Sequence, residues 1–193
     1  MKNLSRIVIT GNPGVGKRTI SNMLAKKLGF KIININEFVI KNKVVFTDKQ
    51  LEVYDIHIKK ASLMLRQEIK KYNDVIITGH LAPYVISPNQ VDLVVVLRRS
   101  PKYLLQTFKE RNYTIMKIKE NVTSEIIGIC LYDSIKKFGL NKIIEFDTTT
   151  NSSKEIIKRL IKALHDESER RIANIDWIAT LNDEKELLKL VSY

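Results

Sequence analysis

The fold is decided by the stretch Arg6-Ile7-Val8-Ile9-Thr10-Gly11-Asn12-Pro13-Gly14-Val15-Gly16-Lys17-Arg18-Thr19. An apolar run precedes the glycines and an amphipathic segment follows them, so the stretch predicts a strand, a loop and a helix in that order. The spacing from Gly11 to Lys17 is that of a Walker A loop. Its glycines let successive backbone N–H groups converge on phosphates, and its lysine adds a positive charge. We therefore predict a nucleoside-triphosphate site here.

Two positions depart from the usual pattern of such a site. Position 18 is arginine, where a serine or threonine that coordinates magnesium is usual. The run 75–78 occupies the place of a second site strand, and it ends in Thr78 rather than in an acidic residue. We therefore predict ATP and Mg²⁺ as cofactors without a direct side-chain ligand for the metal. The phosphates and water would hold the ion, with Thr19 or Thr78 contacting one of its waters.

The composition fits one globular domain. The chain has 193 residues, of which 44% are hydrophobic, and no apolar run approaches the roughly 20 residues that cross a bilayer. A single cysteine, Cys130, excludes an internal disulfide and lies in an apolar stripe, so we expect it to be a small buried hydrophobe. We expect a cytoplasmic protein with no leader segment and no membrane partner.

The charge of the chain is strongly positive. Lysine and arginine (33) exceed aspartate and glutamate (21), which gives a net charge of +12. Such an excess favours an anionic partner, for example nucleic acid or a ribosomal particle. The basic residues are spread along the chain, however, so a protein that is merely rich in solvated lysine is equally compatible with it.

Apolar runs alternate with amphipathic stretches, and this alternation predicts an α/β fold with a parallel sheet. Sheet strands are predicted at 6–10, 31–35, 75–78, 92–97 and 143–146, and a small further strand at 43–46. Helices are predicted at 17–28, 37–40, 48–71, 101–111, 115–129 and 156–164. Asp48 is the predicted cap of the third helix, and Ser152 and Glu155 form a predicted capping box for the last.

Further candidate catalytic residues follow the strands. His80 and Arg98 come at the carboxyl ends of two predicted strands, where open α/β sheets place their ligands. Arg111 lies in a break between two predicted helices. Phosphoryl transfer needs cations around the equatorial oxygens of the transferred group, and a mobile arginine supplies one. We predict Lys17, His80, Arg98 and Arg111 as catalytic residues, although a structural histidine and merely exposed arginines are the alternatives.

The chain resembles the archaeal and eukaryotic adenylate kinase family of isoenzyme 6. The resemblance covers about residues 6–165 and rests on five motifs taken in order: Gly11-Asn12-Pro13-Gly14-Val15-Gly16-Lys17, Gly79-His80, Val95-Val96-Leu97-Arg98, Arg111-Asn112-Tyr113 and Glu120-Asn121 with Glu125. The family usually has two threonines after the lysine and an acidic residue at the position of Thr78, and this chain departs from both.

The resemblance implies a P-loop NTPase fold of adenylate-kinase type, with a five-stranded parallel sheet flanked by helices. It implies a core at 1–165 with an NMP-binding segment at 34–57 and a lid at 110–120, followed by a helical extension at 166–193. It also implies reversible phosphoryl transfer from ATP to AMP, ATP hydrolysis, and a role in small ribosomal subunit maturation through transient binding of a platform ribosomal protein.

Site residues carried over from this resemblance fall into two groups. The implied ATP-binding residues are Asn12, Gly14, Val15, Gly16, Lys17, Arg18, Thr19, Arg111, Thr149, Thr150 and Asn151. The implied NMP-binding residues are Asn34, Glu37 and His80. Two other functions stay open beside the nucleoside monophosphate kinase. One is a nucleotide-switched ribosome assembly factor with slow hydrolysis, and the other is a kinase of another small metabolite such as shikimate or a nucleoside.

Overall fold

The computed structural model describes residues 6–48 and 53–179, together with residues 185, 187 and 189. Within these residues the strands are β1 (Arg6–Thr10), β2 (Lys31–Asn34), β3 (Val45–Asp48), β4 (Val53–Ile56), β5 (Val75–Thr78), β6 (Leu93–Arg98) and β7 (Ile143–Asp147). The helices are α1 (Lys17–Leu28), α2 (Ile35–Lys41), α3 (Ile58–Ile69), α4 (Ala82–Val85), α5 (Pro101–Glu110), α6 (Ile115–Ile126), α7 (Ile129–Phe138) and α8 (Ser153–His165).

Five strands form one sheet in the order β2-β5-β1-β6-β7, and every neighbouring pair is parallel. The three strands β1, β5 and β6 are apolar along almost their whole length because the sheet is covered on both faces. The carboxyl ends of these strands lie at one edge, where the glycine-containing loop of residues 11–16 also begins. This confirms the α/β fold with a five-stranded parallel sheet.

Helices cover both faces of the sheet, and the side chains of β1 alternate between them. Ile7 and Ile9 pack in one apolar cluster with residues of α1, α5, α6 and α8. Val8 points to the other cluster, which contains residues of α2, α3, α4 and α7. Cys130 lies in α7, is buried, and its Sγ contacts the Thr10 hydroxyl at 3.3 Å, as expected for a buried residue. No described helix is long and apolar enough to cross a bilayer.

The prediction for residues 48–71 is wrong in its first part. Asp48 does not cap a helix but ends β3, which pairs with β4 in an antiparallel hairpin that lies apart from the main sheet. The helix α3 begins only at Ile58, after His57. The polar and apolar residues around position 50 do not distinguish a hairpin from an early helical turn, because pairing between the two neighbouring strands outweighs single-residue propensity. Residues 49–52 lie outside the described residues.

The predicted helix 115–129 is two helices, α6 and α7. Gly128 separates them with a positive φ of 69°, a conformation that ends a helix and that glycine adopts without strain. The apolar periodicity continues across this break because both helices bury residues against the sheet. By contrast, the capping box at the start of α8 is confirmed, since Ser152 and Glu155 each bond the backbone N–H of the other.

Residues 166–179, which follow α8, contain no α-helix. They form one 3₁₀ turn at Glu167–Glu169 and then run without regular structure to residue 176. The helical prediction is therefore wrong for this stretch, although residues 185, 187 and 189 are helical. Trp177 and Leu187 are buried in the apolar cluster beneath α1 and α5. The divisions at 34–57, 110–120 and 166–193 stay predictions about function.

Candidate active site

The loop between β1 and α1 reverses the chain with glycine conformations. Gly11 has a φ of 136°, and a Cβ there would lie 2.3 Å from the backbone oxygen of Leu97. Gly16 precedes the first helical residue with a φ of 95°. Other residues adopt these values only with strain. The predicted order of strand, glycine loop and helix is confirmed, and the loop (residues 11–16) is called the phosphate loop below.

Lys17 is the first residue of α1, and its side chain folds back over the phosphate loop. Its Nζ donates to the backbone oxygens of Gly11 at 2.8 Å and of Asn12 at 2.7 Å. Burial lowers the pKa of Lys17 to about 8, and the nearby guanidinium of Arg111 also lowers it, while the carboxylate of Glu125 opposes the shift. At neutral pH the ammonium group is therefore still largely charged, and it lies where the helix N-terminus adds further positive potential.

A buried network of charged and polar groups packs against the phosphate loop. Asn12 donates from Nδ2 to Glu125 Oε2 at 2.7 Å and accepts at Oδ1 from the Ser124 hydroxyl at 3.1 Å. Both contacts come from α6, so this helix fixes the side chain of a loop residue. The backbone oxygen of Asn12 in turn accepts from Lys17, and the orientation of the lysine thus depends on α6.

Arg98 lies at the centre of this network rather than at the open side of the loop. Its Nε donates to Glu125 Oε1 at 2.5 Å, its Nη2 to the backbone oxygen of Glu125 at 2.7 Å, and its Nη1 to Glu145 Oε1 at 3.1 Å. Arg98 is only 2% exposed. A guanidinium held on two buried carboxylates does not fit the predicted role of a mobile cation on the transferred phosphoryl group. We therefore assign Arg98 a positioning role.

The segment after α8 completes the network. Trp177 donates from Nε1 to Glu125 Oε1 at 3.1 Å, and the backbone N–H of Ala173 donates to Glu145 Oε2 at 2.9 Å. Burial raises the pKa of Glu145, and Arg98 opposes this shift. We call Asn12, Arg98, Glu125, Glu145 and Trp177 the buried ion cluster. Sequence reasoning missed it as a unit, because its members come from five separate parts of the chain.

A second arginine contacts the phosphate loop directly. Arg99 donates from Nη1 to the backbone oxygen of Gly14 at 3.2 Å, and its backbone N–H donates to Glu125 Oε1 at 3.2 Å. The sequence drew attention to Arg98 because it ends the strand, but the next residue points toward the loop. The alternation of side chains at the end of β6 is the signal that separates the two roles.

A polar cleft opens beside the phosphate loop, with a volume of about 360 Å³. It lies between the first turns of α1, the end of β5 and the start of α2. Residues that line it include Lys17, Arg18, Ser21, Asn34, Asn36, Glu37 and Thr78. The structure thus brings the predicted NMP-binding residues Asn34 and Glu37 to the same cleft as Lys17, and their role stays a prediction. We call this space the polar cleft.

Asn34 shapes the wall of the polar cleft opposite α1. Its Oδ1 accepts from the backbone N–H groups of Asn36 at 3.0 Å and Glu37 at 3.3 Å, so it caps α2. Its Nδ2 donates to Glu37 Oε1 at 3.0 Å, which orients that carboxylate. Asparagine is a preferred helix cap for this reason. The turn from β2 into α2 therefore places an amide and a carboxylate side by side at the cleft.

His80 and Arg111 lie near Lys17. Burial lowers the pKa of His80 to about 4, and the positive charge of Lys17 lowers it further, so the imidazole is neutral at pH 7. Arg111 ends α5 and its side chain is exposed. Its positive charge contributes to the lowered pKa of Lys17, so the two side chains interact electrostatically. Both residues are thus near the loop, as expected, while their catalytic roles stay predictions.

The turn after β7 lies against the phosphate loop from the other side. The Thr148 hydroxyl donates to the backbone oxygen of Val15 at 3.1 Å. Thr149 accepts at Oγ1 from the backbone N–H of Ser100 at 2.7 Å, and Asn151 bonds the backbone oxygen of Asp147. The structure thus brings the predicted adenine-contacting residues Thr149, Thr150 and Asn151 near the loop through Thr148. Their contact with a base stays a prediction.

The contact of Thr19 or Thr78 with the waters of a bound Mg²⁺ stays a prediction. Arg18 carries no side-chain oxygen, Thr19 is exposed, and Thr78 is a buried hydroxyl at the end of β5. No group of three or more His, Cys, Asp or Glu side chains that could hold a metal occurs in the part of the chain that the structure describes. Because Mg²⁺ retains several waters and binds phosphate oxygens, hydroxyls that contact its waters are compatible with a bound Mg–nucleotide.

Comparisons with known proteins agree with this geometry. Residues 7–128 match the AAA domain family. The chain is 36% identical over 171 residues to "Putative adenylate kinase" of Pyrococcus abyssi, an alignment that covers 89% of this chain and 90% of that protein. It is 34% identical over 173 residues to the protein of the same name from Methanocaldococcus jannaschii, covering 89% and 92%.

Similar solved structures show the fold. Shikimate kinase from Acinetobacter baumannii has a TM-score of 0.60 at 18% identity, over 84% of this chain and 93% of that one. Thymidylate kinase from Candida albicans has a TM-score of 0.52 at 15% identity, over 90% and 96%. Identities this low carry no conclusion about substrate. They establish that the sheet and phosphate loop form the P-loop fold of the nucleotide and metabolite kinases.

Proposed function

The chain belongs to the AAA domain family and to the family of archaeal proteins named "Putative adenylate kinase", and on this premise we propose that it is a nucleoside monophosphate kinase. ATP is the phosphoryl donor and AMP is the acceptor, and each of them is converted to ADP. One observation supports this proposal most strongly. The Lys17 side chain contacts the phosphate loop through Nζ and at the same time lines the polar cleft that Asn34 and Glu37 border.

The donor nucleotide would bind along the phosphate loop. Backbone N–H groups of the loop and the N-terminus of α1 would bind the β- and γ-phosphates, and Lys17 would move from the backbone oxygens of Gly11 and Asn12 to those phosphates. Arg111, near Lys17 and exposed, would close over the transferred group. Mg²⁺ supplies charge neutralisation between the phosphates when it is bound, and Thr19 and Thr78 would contact its waters.

The acceptor needs no general base. A phosphate oxygen of AMP is already anionic, so it can attack the γ-phosphorus of ATP directly. The bond between the γ-phosphorus and the oxygen that bridges the β- and γ-phosphates breaks at the same time, and ADP leaves. No proton has to be removed, so the transfer requires no side chain that acts as a base. The protein's contribution is to position the two phosphates and to stabilise the charge between them.

Hydrolysis of ATP would be the slow side reaction of the same site. Water is a poor nucleophile until a base takes its proton, and His80, which interacts electrostatically with Lys17, is a candidate. Because burial lowers the pKa of His80 to about 4, its imidazole is a weak base that orders a water rather than deprotonating it efficiently. Hydrolysis would compete with transfer when the cleft holds no acceptor and water enters.

A second candidate function is a nucleotide-switched assembly factor. The absence of an acidic group at Thr78 and the net charge of +12 favour it, since slow turnover and attraction to an anionic particle would suit a switch. Together with the resemblance to the isoenzyme 6 family, this supports a role in small ribosomal subunit maturation through a platform ribosomal protein in the cytoplasm. Both functions could reside in one protein.

The deciding experiment is steady-state ADP release from ATP and Mg²⁺ while AMP is titrated. We expect a strong rise with AMP that is lost in Lys17→Ala, by about 10²–10³-fold in rate, because one preorganised positive group on the transition state is removed. Lys26→Ala is the matched control, since Lys26 is an exposed lysine of the same helix.

Slow ADP release that ignores AMP but is lost in Lys17→Ala would reject the kinase and favour the assembly factor. In that case co-purification with small-subunit components should differ between the ATP-bound and ADP-bound protein. Equal binding in every nucleotide state would exclude the switch, because a ligand without differential affinity shifts no equilibrium.

A further inference from the structure

Binding of the donor phosphates by the phosphate loop does not explain why position 18 is an arginine. Arg18 is the second residue of α1, so its guanidinium lies at the positive end of the helix dipole, and the first turn of this helix contains no acidic residue. Lys17 lines the polar cleft together with Arg18, and Arg111 interacts electrostatically with Lys17. Arg18 is exposed, and the described residues give it no hydrogen bond or ion pair. A local arrangement that is electrostatically unfavourable in this way is typical of a site built for an anion.

Ser21 is a second, independent sign of a ligand at the same place. It is one turn further along α1, on the same helix face as Arg18. Its side chain is only 1% exposed and it lines the polar cleft, yet its Oγ has no hydrogen-bond partner in the described structure. Buried hydroxyls nearly always have a partner, so this one is available to a group that enters the cleft.

The charges of the polar cleft divide between two phosphates. Its lining contains two cations, Lys17 and Arg18. Lys17 is directed over the phosphate loop by its contacts with Gly11 and Asn12, and it belongs to the donor. The opposite wall carries Glu37, held by Asn34, and this carboxylate would repel a phosphate. The anionic end of an acceptor is therefore favoured at α1, and its nucleoside end at α2.

We propose that Arg18, assisted by the Ser21 hydroxyl, binds the phosphate of the acceptor nucleotide. This rests on the proposed function and assigns the acceptor as a phosphate monoester whose remaining part donates a hydrogen bond to the Glu37 carboxylate that Asn34 orients. A guanidinium matches two phosphate oxygens with parallel N–H groups, which a hydroxyl at position 18 could not do. With arginine in place of a hydroxyl, position 18 would bind the acceptor phosphate instead of the metal.

The competing assignment is that Arg18 binds the β- and γ-phosphates of ATP in place of a metal ligand. The two assignments differ in which Michaelis constant they change. In the first, removal of Arg18 raises KM for AMP and leaves KM for ATP nearly as it was. In the second, KM for ATP rises and the Mg²⁺ requirement becomes steeper.

The experiment compares wild type, Arg18→Ala, Arg18→Lys and Ser21→Ala, with Arg66→Ala as control because Arg66 is an exposed arginine of α3 away from the cleft. We expect KM for AMP to rise about 10- to 100-fold in Arg18→Ala, the usual range for losing hydrogen bonds to a charged group. Arg18→Lys should recover part of this, Ser21→Ala should show a smaller rise, and Arg66→Ala should match wild type.

An unchanged KM for AMP in Arg18→Ala, or a rise confined to KM for ATP, overturns the inference. Calorimetric titration of each variant with AMP alone separates this from failure of the proposed function. If the wild type binds AMP but makes no ADP from it, the kinase is rejected, and the loss of AMP affinity in Arg18→Ala still decides the role of Arg18. Thermal unfolding by circular dichroism verifies that each variant is folded.

Discussion

Arg98 and Arg18 flank the same phosphate loop, and they are used in opposite ways. Arg98 is buried and holds Glu125 and Glu145 through Nε, Nη1 and Nη2. Arg18 is exposed at the polar cleft and has no partner among the described residues. A buried charge must be paired and hydrogen-bonded or it destabilises the fold, whereas an exposed charge is free to meet a ligand. The buried ion cluster therefore fixes the phosphate loop before any ligand binds, whereas Arg18 would gain its partner only when the substrate enters the polar cleft.

This contrast separates stability from rate. The buried ion cluster joins the phosphate loop to α6, to β7 and to the segment around Trp177, so damage to it should first appear as lost stability. The exposed cations Arg18 and Arg111 make no such connections, so their removal should change binding or rate in a protein that unfolds as before. Three measurements, in decreasing order of expected effect, test this division.

The largest effect is expected from Arg111→Ala. If Arg111 closes on the transferred phosphoryl group, its loss should lower kcat by about 10³-fold, the lower end of the range for such an arginine. The melting temperature should stay within about 1 °C of wild type, since surface substitutions change stability little. Steady-state kinetics with saturating ATP and AMP measure the first, and calorimetry measures the second. A variant with full kcat would remove Arg111 from the site.

The next effect is expected from Glu125→Ala. This change leaves Glu145 as the only carboxylate on the buried guanidinium of Arg98 and removes the acceptor of the Asn12 Nδ2 group. Losing one partner of a buried ion pair costs about 3–5 kcal/mol. Urea unfolding at constant protein concentration measures it. Glu120→Ala is the control, because Glu120 is an exposed glutamate of the same helix. Equal stability of the two variants would mean that the buried ion cluster does not support the loop.

The smallest effect is expected from Trp177→Phe. Phenylalanine keeps most of the buried ring and removes only the N–H that donates to Glu125 Oε1 at 3.1 Å. Hydrogen bonds to charged groups are worth about 1.5–3 kcal/mol, and Glu125 retains its other partners, so we expect about 1.5 kcal/mol. Circular dichroism must be used, because Trp177 is the single tryptophan of the chain. A loss equal to that of Glu125→Ala would show that packing of the ring, rather than its hydrogen bond, dominates.

Much of the fold could be predicted from local patterns. The strand, loop and helix from Arg6 to Leu28 follow from apolar periodicity and glycine spacing, and β5 and β6 follow from continuous apolar runs. The predictions that were wrong or incomplete concern elements that local sequence patterns do not determine. The hairpin at 45–56 is set by strand pairing, and the separation of α6 from α7 is set by the conformation of Gly128 rather than by any change in periodicity.

The candidate site divides in the same way. Lys17 was predicted from the loop motif, and Asn34 and Glu37 from the family resemblance, and all three lie at one cleft. Arg98 and Arg99 show the limit, since the sequence presents two adjacent arginines and only the pleat of β6 decides which one is buried and which one reaches Gly14. Nothing in the spacing of the chain connects Trp177 to Glu125.

By itself the sequence determined the parallel sheet, the phosphate loop and the conclusion that a nucleotide binds there, because these depend on short-range periodicity and on glycines whose conformations are local. Tertiary structure alone decided that Arg98 binds buried carboxylates next to the phosphate loop, and that Trp177 and Ala173 bond the same carboxylates. It also decided that Arg18 and Ser21 line the polar cleft. The reason is physical. Whether a charged side chain serves stability or a ligand depends on its burial and its partners, and both are set by residues far away in the chain.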